Sequence, residues 1–175
     1  DRDGVINVDL MTYVTNPEEF EVIEGSLEAM AKLTANDYKI AIATNQACIE
    51  KGIVSEEGLK NIHDHMTSLL SKVGGLINYI AYCPHTPESK CKCRKPEVGL
   101  LKEIEEELNI SLKGKYFIGD KDSDIKAGRN FGCTPLLIKK GGHGEKAFRT
   151  ENSPPDEQCF DDLNNAVNYI LKQEA

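Results

Sequence analysis

Two carboxylates two residues apart, followed at once by a glycine, stand in Asp1-Arg2-Asp3-Gly4. Alone the pattern is weak, because Asp-x-Asp is common in loops. Three later segments strengthen it: Ala43-Thr44-Asn45-Gln46, Cys93-Arg94-Lys95-Pro96 and Ile118-Gly119-Asp120-Lys121. Each reads as the end of a strand carrying a polar group. A carboxylate pair, a hydroxyl and amide, a lysine and a further acid, in that order, are the components of phosphoryl transfer. The reason is electrostatic. A phosphate monoester is a dianion, so an attacking carboxylate is repelled unless a divalent cation offsets the charge. One acid can then attack phosphorus, and a second two residues on can protonate the leaving alkoxide and later activate water. Taken singly, Gly119-Asp120 also reads as a turn, Thr44-Asn45 as a strand-end cap and Lys95 as a surface lysine.

A second constellation is Cys83-Pro84-His85 with Cys91-Lys92-Cys93. In extended chain, residues i and i+2 point the same way, so each pair can chelate one ion. Three thiolates and an imidazole suit tetrahedral Zn²⁺, and four protein ligands leave no open position, so the ion is expected to be structural. The intervening residues 86–90 are short and polar, and the metal would order them. Arg94 and Lys95 follow immediately, so the same ion would fix the segment that presents both cations. The other three cysteines, Cys48, Cys133 and Cys159, are scattered and read as packing residues. Clustered rather than framework-spaced cysteines point to metal in a reducing compartment, and a cytoplasmic location is expected.

These groups need a scaffold. Short apolar runs at 39–44, 77–82, 116–119 and 134–138 predict buried strands. Helical spacing of apolar residues predicts helices over 26–33, 55–73, 98–108, 123–131 and 162–172. Their alternation implies an α/β fold: a single doubly wound, Rossmann-like parallel sheet with helices on both faces. Sites in such sheets form beyond the carboxyl ends of the strands, where Thr44 and Asp120 fall. A strand leading into Asp1 is expected as well and is missing from the sequence as given. No insertion exceeds a loop, so no large cap domain is expected. Residues 141–144 read as a glycine-rich loop, and His63 and His65 are expected to face solvent.

At 175 residues the chain reads as one domain, 1–175, able to bury a core without disulfides. A net charge of −8, with no basic stripe, argues against nucleic acid or an anionic membrane surface as partner. No apolar run is long enough to span a membrane.

The motifs DRDGVIN, TNQ, CRKP and GDKDSD together resemble those of the haloacid dehalogenase-type phosphatases, over nearly the whole chain. Within them, the Ile6-Asn7-Val8-Asp9 run is similar to the heptose bisphosphate phosphatase branch, while the Cys/His ligand pattern is shared with the histidinol-phosphate phosphatases, whose loop is short like this one. The resemblance assigns Asp1 as nucleophile and Asp3 as acid/base. It assigns Mg²⁺ to the Asp1 carboxylate, the Asp3 carbonyl and the Asp120 carboxylate. Thr44, Asn45 and Gln46 would surround the phosphoryl oxygens, Lys95 would neutralise the charge shared by Asp1 and phosphate, and Arg94 and Lys121 would meet substrate. Asp124 would support Asp120 from behind. Asp9 and Tyr13 would bind sugar hydroxyls, although the loop holding them is one residue longer than the pattern, and Cys48 stands where the pattern favours TNQSG. The implied reaction is removal of the 7-phosphate of D-glycero-D-manno-heptose 1,7-bisphosphate, on the way to nucleotide-activated heptose for lipopolysaccharide core. A monomer acting on a small phosphorylated sugar is expected. Histidinol phosphate is the nearest alternative substrate. A polynucleotide 3′-phosphatase and an inactive zinc-stabilised binding module are the alternatives of other classes.

Overall fold

A computed structural model describes residues 1–173. Among the described residues, five strands, each parallel to its ladder neighbour, and six α-helices alternate after an irregular opening segment. They are α1 (Ser26–Ala35), β1 (Ala41–Asn45), α2 (Glu56–Lys72), β2 (Tyr79–Cys83), α3 (Gly99–Leu108), β3 (Tyr116–Gly119), α4 (Asp122–Phe131), β4 (Thr134–Ile138), α5 (Gly144–Phe148), β5 (Cys159–Phe160) and α6 (Leu163–Gln173). Local chemistry accounts for the long helix. Ser55 caps α2 through its hydroxyl, which accepts the Gly58 N–H; Glu56 and Glu57 occupy its first turn and Lys72 its last. Leu59, Ile62, Met66 and Leu70 recur at helical spacing and are fully buried.

β1 pairs with β2 from Ala41–Tyr79 to Asn45–Cys83, and β3 pairs with β4 from Tyr116–Thr134 to Gly119–Leu137. β4 in turn pairs with β5. Parallel neighbours require long crossovers, which α2 and α4 supply. Side chains alternate between the faces: Ile42, Leu136 and Ile138 join α1, α2 and α6 on one side. On the other, Ala43, Ala81 and Phe117 meet α3, and Leu137 meets Ile125 of α4. Helices therefore cover both faces, as the alternation predicts.

One expectation is modified. In place of a single continuous sheet there are two parallel ladders, β1–β2 and β3–β4–β5, with no pairing between β1 and β3 among the described residues. Between them runs an apolar cleft of about 590 Å³, lined by Ala41 and Ile42 of β1, Phe117 and Ile118 of β3, Leu101 and Ile170. Asp1 also lines it, its backbone nitrogen donating to the Ile118 carbonyl at 2.7 Å. The strands β1, β2 and β3 end at Asn45, Cys83 and Gly119; Asn45 accepts the Lys95 N–H, and Lys95 Nζ reaches Asp1. No helix among the described residues is long and apolar enough to cross a membrane.

Candidate active site

The centre of the site is a lysine sunk among acids. Lys95 Nζ lies 2.9 Å from Asp1 Oδ1 and 2.6 Å from Asp124 Oδ1, and donates to the Ala43 carbonyl at 2.8 Å. Its side chain is 2% exposed, so these charges interact with little screening by water. Burial pushes the Asp124 carboxyl up, but the Lys95 charge and the contacts of Lys95 and the Lys121 N–H with its oxygens are among the causes that together outweigh it and hold the carboxyl below the usual carboxylate range. Asp124 Oδ1 thus has the Lys95 ion pair but no hydrogen bond among the described residues, and its Oδ2 accepts the Lys121 N–H at 3.0 Å.

Asp120, at the end of β3, is the contrasting acid. Burial, together with the Asp124 and Asp9 charges, pushes it up to about 7 against the opposing pull of Lys121. Its Oδ2 accepts the His143 N–H at 3.0 Å, and its Oδ1 is buried with no hydrogen-bond partner among the described residues. Carboxylate oxygens of Asp1, Asp120 and Asp124 all lie within 4.8 Å of one another. An unpartnered buried oxygen in an all-oxygen cluster is a fit for a hard divalent cation. Gly4 brings the chain against this cluster. Its φ is +83°, and a Cβ there would overlap the Gly141 carbonyl and the Asp120 carboxylate.

Asp3 is held differently. Arg2 Nη2 donates to its Oδ1 at 2.9 Å and Oδ2 at 3.2 Å, Asn7 donates to Oδ1 at 2.9 Å, and Gln46 donates to Oδ2 at 2.9 Å. Burial raises the Asp3 pKa, but the Arg2 charge and the hydrogen bonds from Asn7, Arg2 and Gln46 outweigh it and lower the carboxyl overall. Gln46, 2% exposed, also donates to Thr44 Oγ1 at 2.9 Å, which leaves the hydroxyl proton of Thr44 to donate elsewhere.

Several expectations shift here. Asn45 exchanges a reciprocal pair of hydrogen bonds with the Lys95 backbone, at 3.0 and 3.1 Å, so its side chain anchors the lysine segment rather than reaching out. Gln46 likewise turns inward to Asp3. Arg94 Nη1 donates to the His85 carbonyl at 3.0 Å, which ties the expected anion clamp to the cysteine loop. Asp9 pairs with Lys121 at 3.1 Å and with His143 Nε2 at 3.2 Å, so one cluster joins the first loop to residues 141–144. Tyr13 is half-buried beneath Lys51, whose Nζ is 5.3 Å from the ring centroid.

The expectation that His63 faces solvent is wrong. His63 is 7% exposed, and its Nε2 lies 3.1 Å from Arg2 Nη1. His65 is half-buried, edge-on to Phe20. The signal for His63 was present: it stands four residues after Leu59 and three before Met66, on the buried face of α2. Burial, reinforced by the Arg2 charge, lowers its pKa from 6.5 to about 4. The unfolded chain therefore takes up this proton as pH falls below about 6.5 while the folded chain does not. That contribution to stability is complete above 6.5 and is lost toward pH 4, reaching about 3 kcal/mol. His63→Gln, which does not titrate, is expected to lose correspondingly less stability than wild type between pH 7 and pH 4.5 in urea unfolding. Identical pH dependence in the two proteins would contradict the assignment.

The cysteine loop closes on itself. Sγ atoms of Cys83, Cys91 and Cys93 lie 3.0–3.6 Å apart, and His85 Nδ1 is 3.6 Å from Cys83 and 3.3 Å from Cys93. These are free thiols, and the separations far exceed a disulfide bond. Tetrahedral coordination at ordinary Zn–S and Zn–N lengths spaces such donors roughly 3.5–3.8 Å apart, so the set fits a thiophilic ion after slight expansion. The Arg94 N–H donates to Cys91 Sγ at 3.4 Å, directly coupling the cluster to the lysine segment. Glu50, which the motifs did not single out, accepts the Thr86 N–H and the Ser89 hydroxyl and so pins the turn of this loop.

Known proteins agree with this geometry. A family model described as HAD-hydrolase-like matches residues 92–166. A D-glycero-beta-D-manno-heptose-1,7-bisphosphate 7-phosphatase of Pseudomonas aeruginosa is 38% identical over 174 residues, 98% of this chain and 96% of the relative. A D-glycero-alpha-D-manno-heptose-1,7-bisphosphate 7-phosphatase of Campylobacter jejuni is 37% identical over 153 residues, covering 85% of this chain and 87% of the relative. The crystal structure of D,D-heptose 1,7-bisphosphate phosphatase from B. bronchiseptica, complexed with magnesium and phosphate, matches with a TM-score of 0.93 at 36% identity, over 100% of this chain and 97% of that one. The likeness spans the acidic cluster, the cysteine loop and both strand ladders, and the chain belongs to the haloacid dehalogenase-like hydrolases, in the family of the D-glycero-D-manno-heptose-1,7-bisphosphate 7-phosphatases.

Proposed function

We propose that this chain is a Mg²⁺-dependent phosphatase that removes the 7-phosphate of D-glycero-D-manno-heptose 1,7-bisphosphate, leaving heptose 1-phosphate for nucleotide activation toward lipopolysaccharide core. The observation that carries the chemistry is the buried Lys95 bridging Asp1 and Asp124 beside an Asp120 oxygen without a partner. Asp1 is the nucleophile: its carboxylate forms a bond to phosphorus as the sugar alkoxide departs, giving an aspartyl-phosphate. Asp3, which rests ionised against Arg2, takes up a proton as the dianionic ester binds, passes it to the departing alkoxide, and then takes one from the water that releases phosphate. Lys95 and the Thr44 hydroxyl face the charge that accumulates on the phosphoryl oxygens. Asp1, the Asp3 carbonyl and Asp120 would hold Mg²⁺, which when bound offsets the charge of the dianionic ester. Asp124 keeps Lys95 and the start of α4 in place. Asp9, Tyr13, Arg94 and Lys121 form the sugar and distal-phosphate side. In this reading the cysteine and histidine cluster holds a structural Zn²⁺, and residues 1–175 form one domain in which a strand leading into Asp1 would lie in the cleft between β1 and β3.

The relatives' names favour the heptose substrate over histidinol phosphate. The test is phosphate release with Mg²⁺ from both heptose 1,7-bisphosphate anomers and from histidinol phosphate at matched concentrations. A kcat/KM preference of about a hundredfold, near 2.7 kcal/mol, for one heptose anomer is expected. The reverse preference would move the protein to histidinol phosphate.

A further inference from the structure

Arg2 is fully buried, an arginine with 0% exposure lying between the two acids of the opening motif. A guanidinium carries its charge permanently and has N–H donors but no acceptor. Buried in this way, it needs an acceptor for each edge. Nε and Nη2 face Asp3, with Nε 3.3 Å and Nη2 2.9 Å from Oδ1. Nη1 lies 3.1 Å from His63 Nε2, an atom contributed by α2 from 61 residues further along the chain. Because Arg2 can only donate, His63 must accept through a bare Nε2, which puts its ring proton on Nδ1. The imidazole is in turn braced edge-on by Tyr82 of β2, with ring centroids 6.2 Å apart.

We propose that His63 is a positioning residue for the acid/base step: by accepting the Nη1 proton donor of Arg2, it fixes the guanidinium plane whose other edge aims the Asp3 carboxylate at the leaving group. The proposal rests on the reading of Asp3 as acid/base. Its logic is one of satisfaction. If His63 is replaced by an apolar side chain, Arg2 keeps a buried N–H without a partner. The guanidinium then turns to recover an acceptor, and Asp3 turns with it. Asn7 and Gln46 hold the two oxygens of Asp3 individually. Arg2 is the group that contacts both oxygens at once and so sets the tilt of the carboxylate plane.

The test uses leaving-group chemistry. An alkyl phosphate expels an alkoxide that needs the Asp3 proton, whereas p-nitrophenyl phosphate expels a stable phenolate that does not. The ratio kcat/KM reports on steps up to departure of the leaving group. His63→Leu and His63→Gln are each assayed on heptose 1,7-bisphosphate and on p-nitrophenyl phosphate, with thermal unfolding to confirm folding. His63→Leu is expected to lose about 10- to 100-fold in kcat/KM on the alkyl ester and less than about threefold on the aryl ester. His63→Gln, whose amide oxygen replaces Nε2 as acceptor, is expected to stay within about threefold of wild type on both. Equal losses on the two esters, no loss on either, or a His63→Gln as impaired as His63→Leu would each overturn the proposal. Should His63→Leu fail to fold, His63→Met takes its place; failure of both would assign His63 to stability alone and overturn the positioning role. If wild type does not hydrolyse heptose bisphosphate, the substrate reading fails separately. The alkyl-to-aryl comparison is then made with whichever alkyl monoester wild type does hydrolyse.

Discussion

Asp1→Asn is expected to abolish turnover, by at least about 10⁴-fold, with little loss of stability. The amide cannot attack phosphorus, so no covalent intermediate forms. Lys95 retains Asp124 and the Ala43 carbonyl as partners, so the buried ammonium is not left alone. Asp3→Asn is expected to fail for another reason and with another signature. Loss of the proton donor costs about 10²- to 10⁴-fold in turnover. The phosphoryl site is intact, so a phosphate analogue such as vanadate still binds. Unlike the first variant, it leaves the buried Arg2 without a carboxylate partner; removing one partner of a fully buried pair costs about 3–5 kcal/mol, and the 20% exposure of the Asp3 side chain places the loss below that range. The pair of variants therefore separates nucleophile from acid/base by stability as well as by rate. Turnover by Asp3→Asn within about threefold of wild type would remove the acid/base assignment. Chemical unfolding and intact mass after incubation with substrate complete the comparison.

Stripping the proposed Zn²⁺ from the Cys83, His85, Cys91 and Cys93 cluster, with Mg²⁺ kept in excess, is expected to lower kcat by about 10²-fold. The loss arises from position. The Arg94 N–H bonds to Cys91 Sγ, the Arg94 guanidinium bonds to the His85 carbonyl, and Lys95 is the next residue. Without the proposed ion, three thiols and an imidazole whose ligand atoms lie within 4.8 Å of one another would lose their common partner, and the loop from 83 to 93 its anchor. Lys95 then leaves Asp1. Zn²⁺ should restore activity where further Mg²⁺ does not. A metal-stripped protein that keeps both its fold and full kcat would show that the Asn45 clamp alone holds Lys95.

Much of the fold could be read from the pattern of residues. The strands 116–119 and 134–138 have the bounds that their apolar runs predict, and α2 begins at the capping Ser55 and ends within a residue of the predicted position. β5 and α5 escaped the pattern because two and five residues are too few to show a period. The separation of β1 from β3 was equally invisible, since alternation of strands and helices predicts parallel pairing but not which pairs form.

The same division runs through the site. Spacing by itself picked out the candidate groups: Asp-x-Asp-Gly, the strand-end Thr44, Lys95 and Asp120, and the two chelating pairs of the cysteine loop. These signals are local, because side chains two apart on extended chain, or at the end of a strand, have directions set by the backbone. Partnership was decided by the tertiary structure. Asn45 serves the Lys95 backbone, Gln46 serves Asp3, Asp9 binds Lys121 and His143, and His63 reaches Arg2 across 61 residues. Each is a polar group with several possible acceptors or donors, and a buried one must find a partner or lose free energy. Which partner it finds depends on how the loops beyond β1, β2 and β3 pack together, and no spacing along the chain records that.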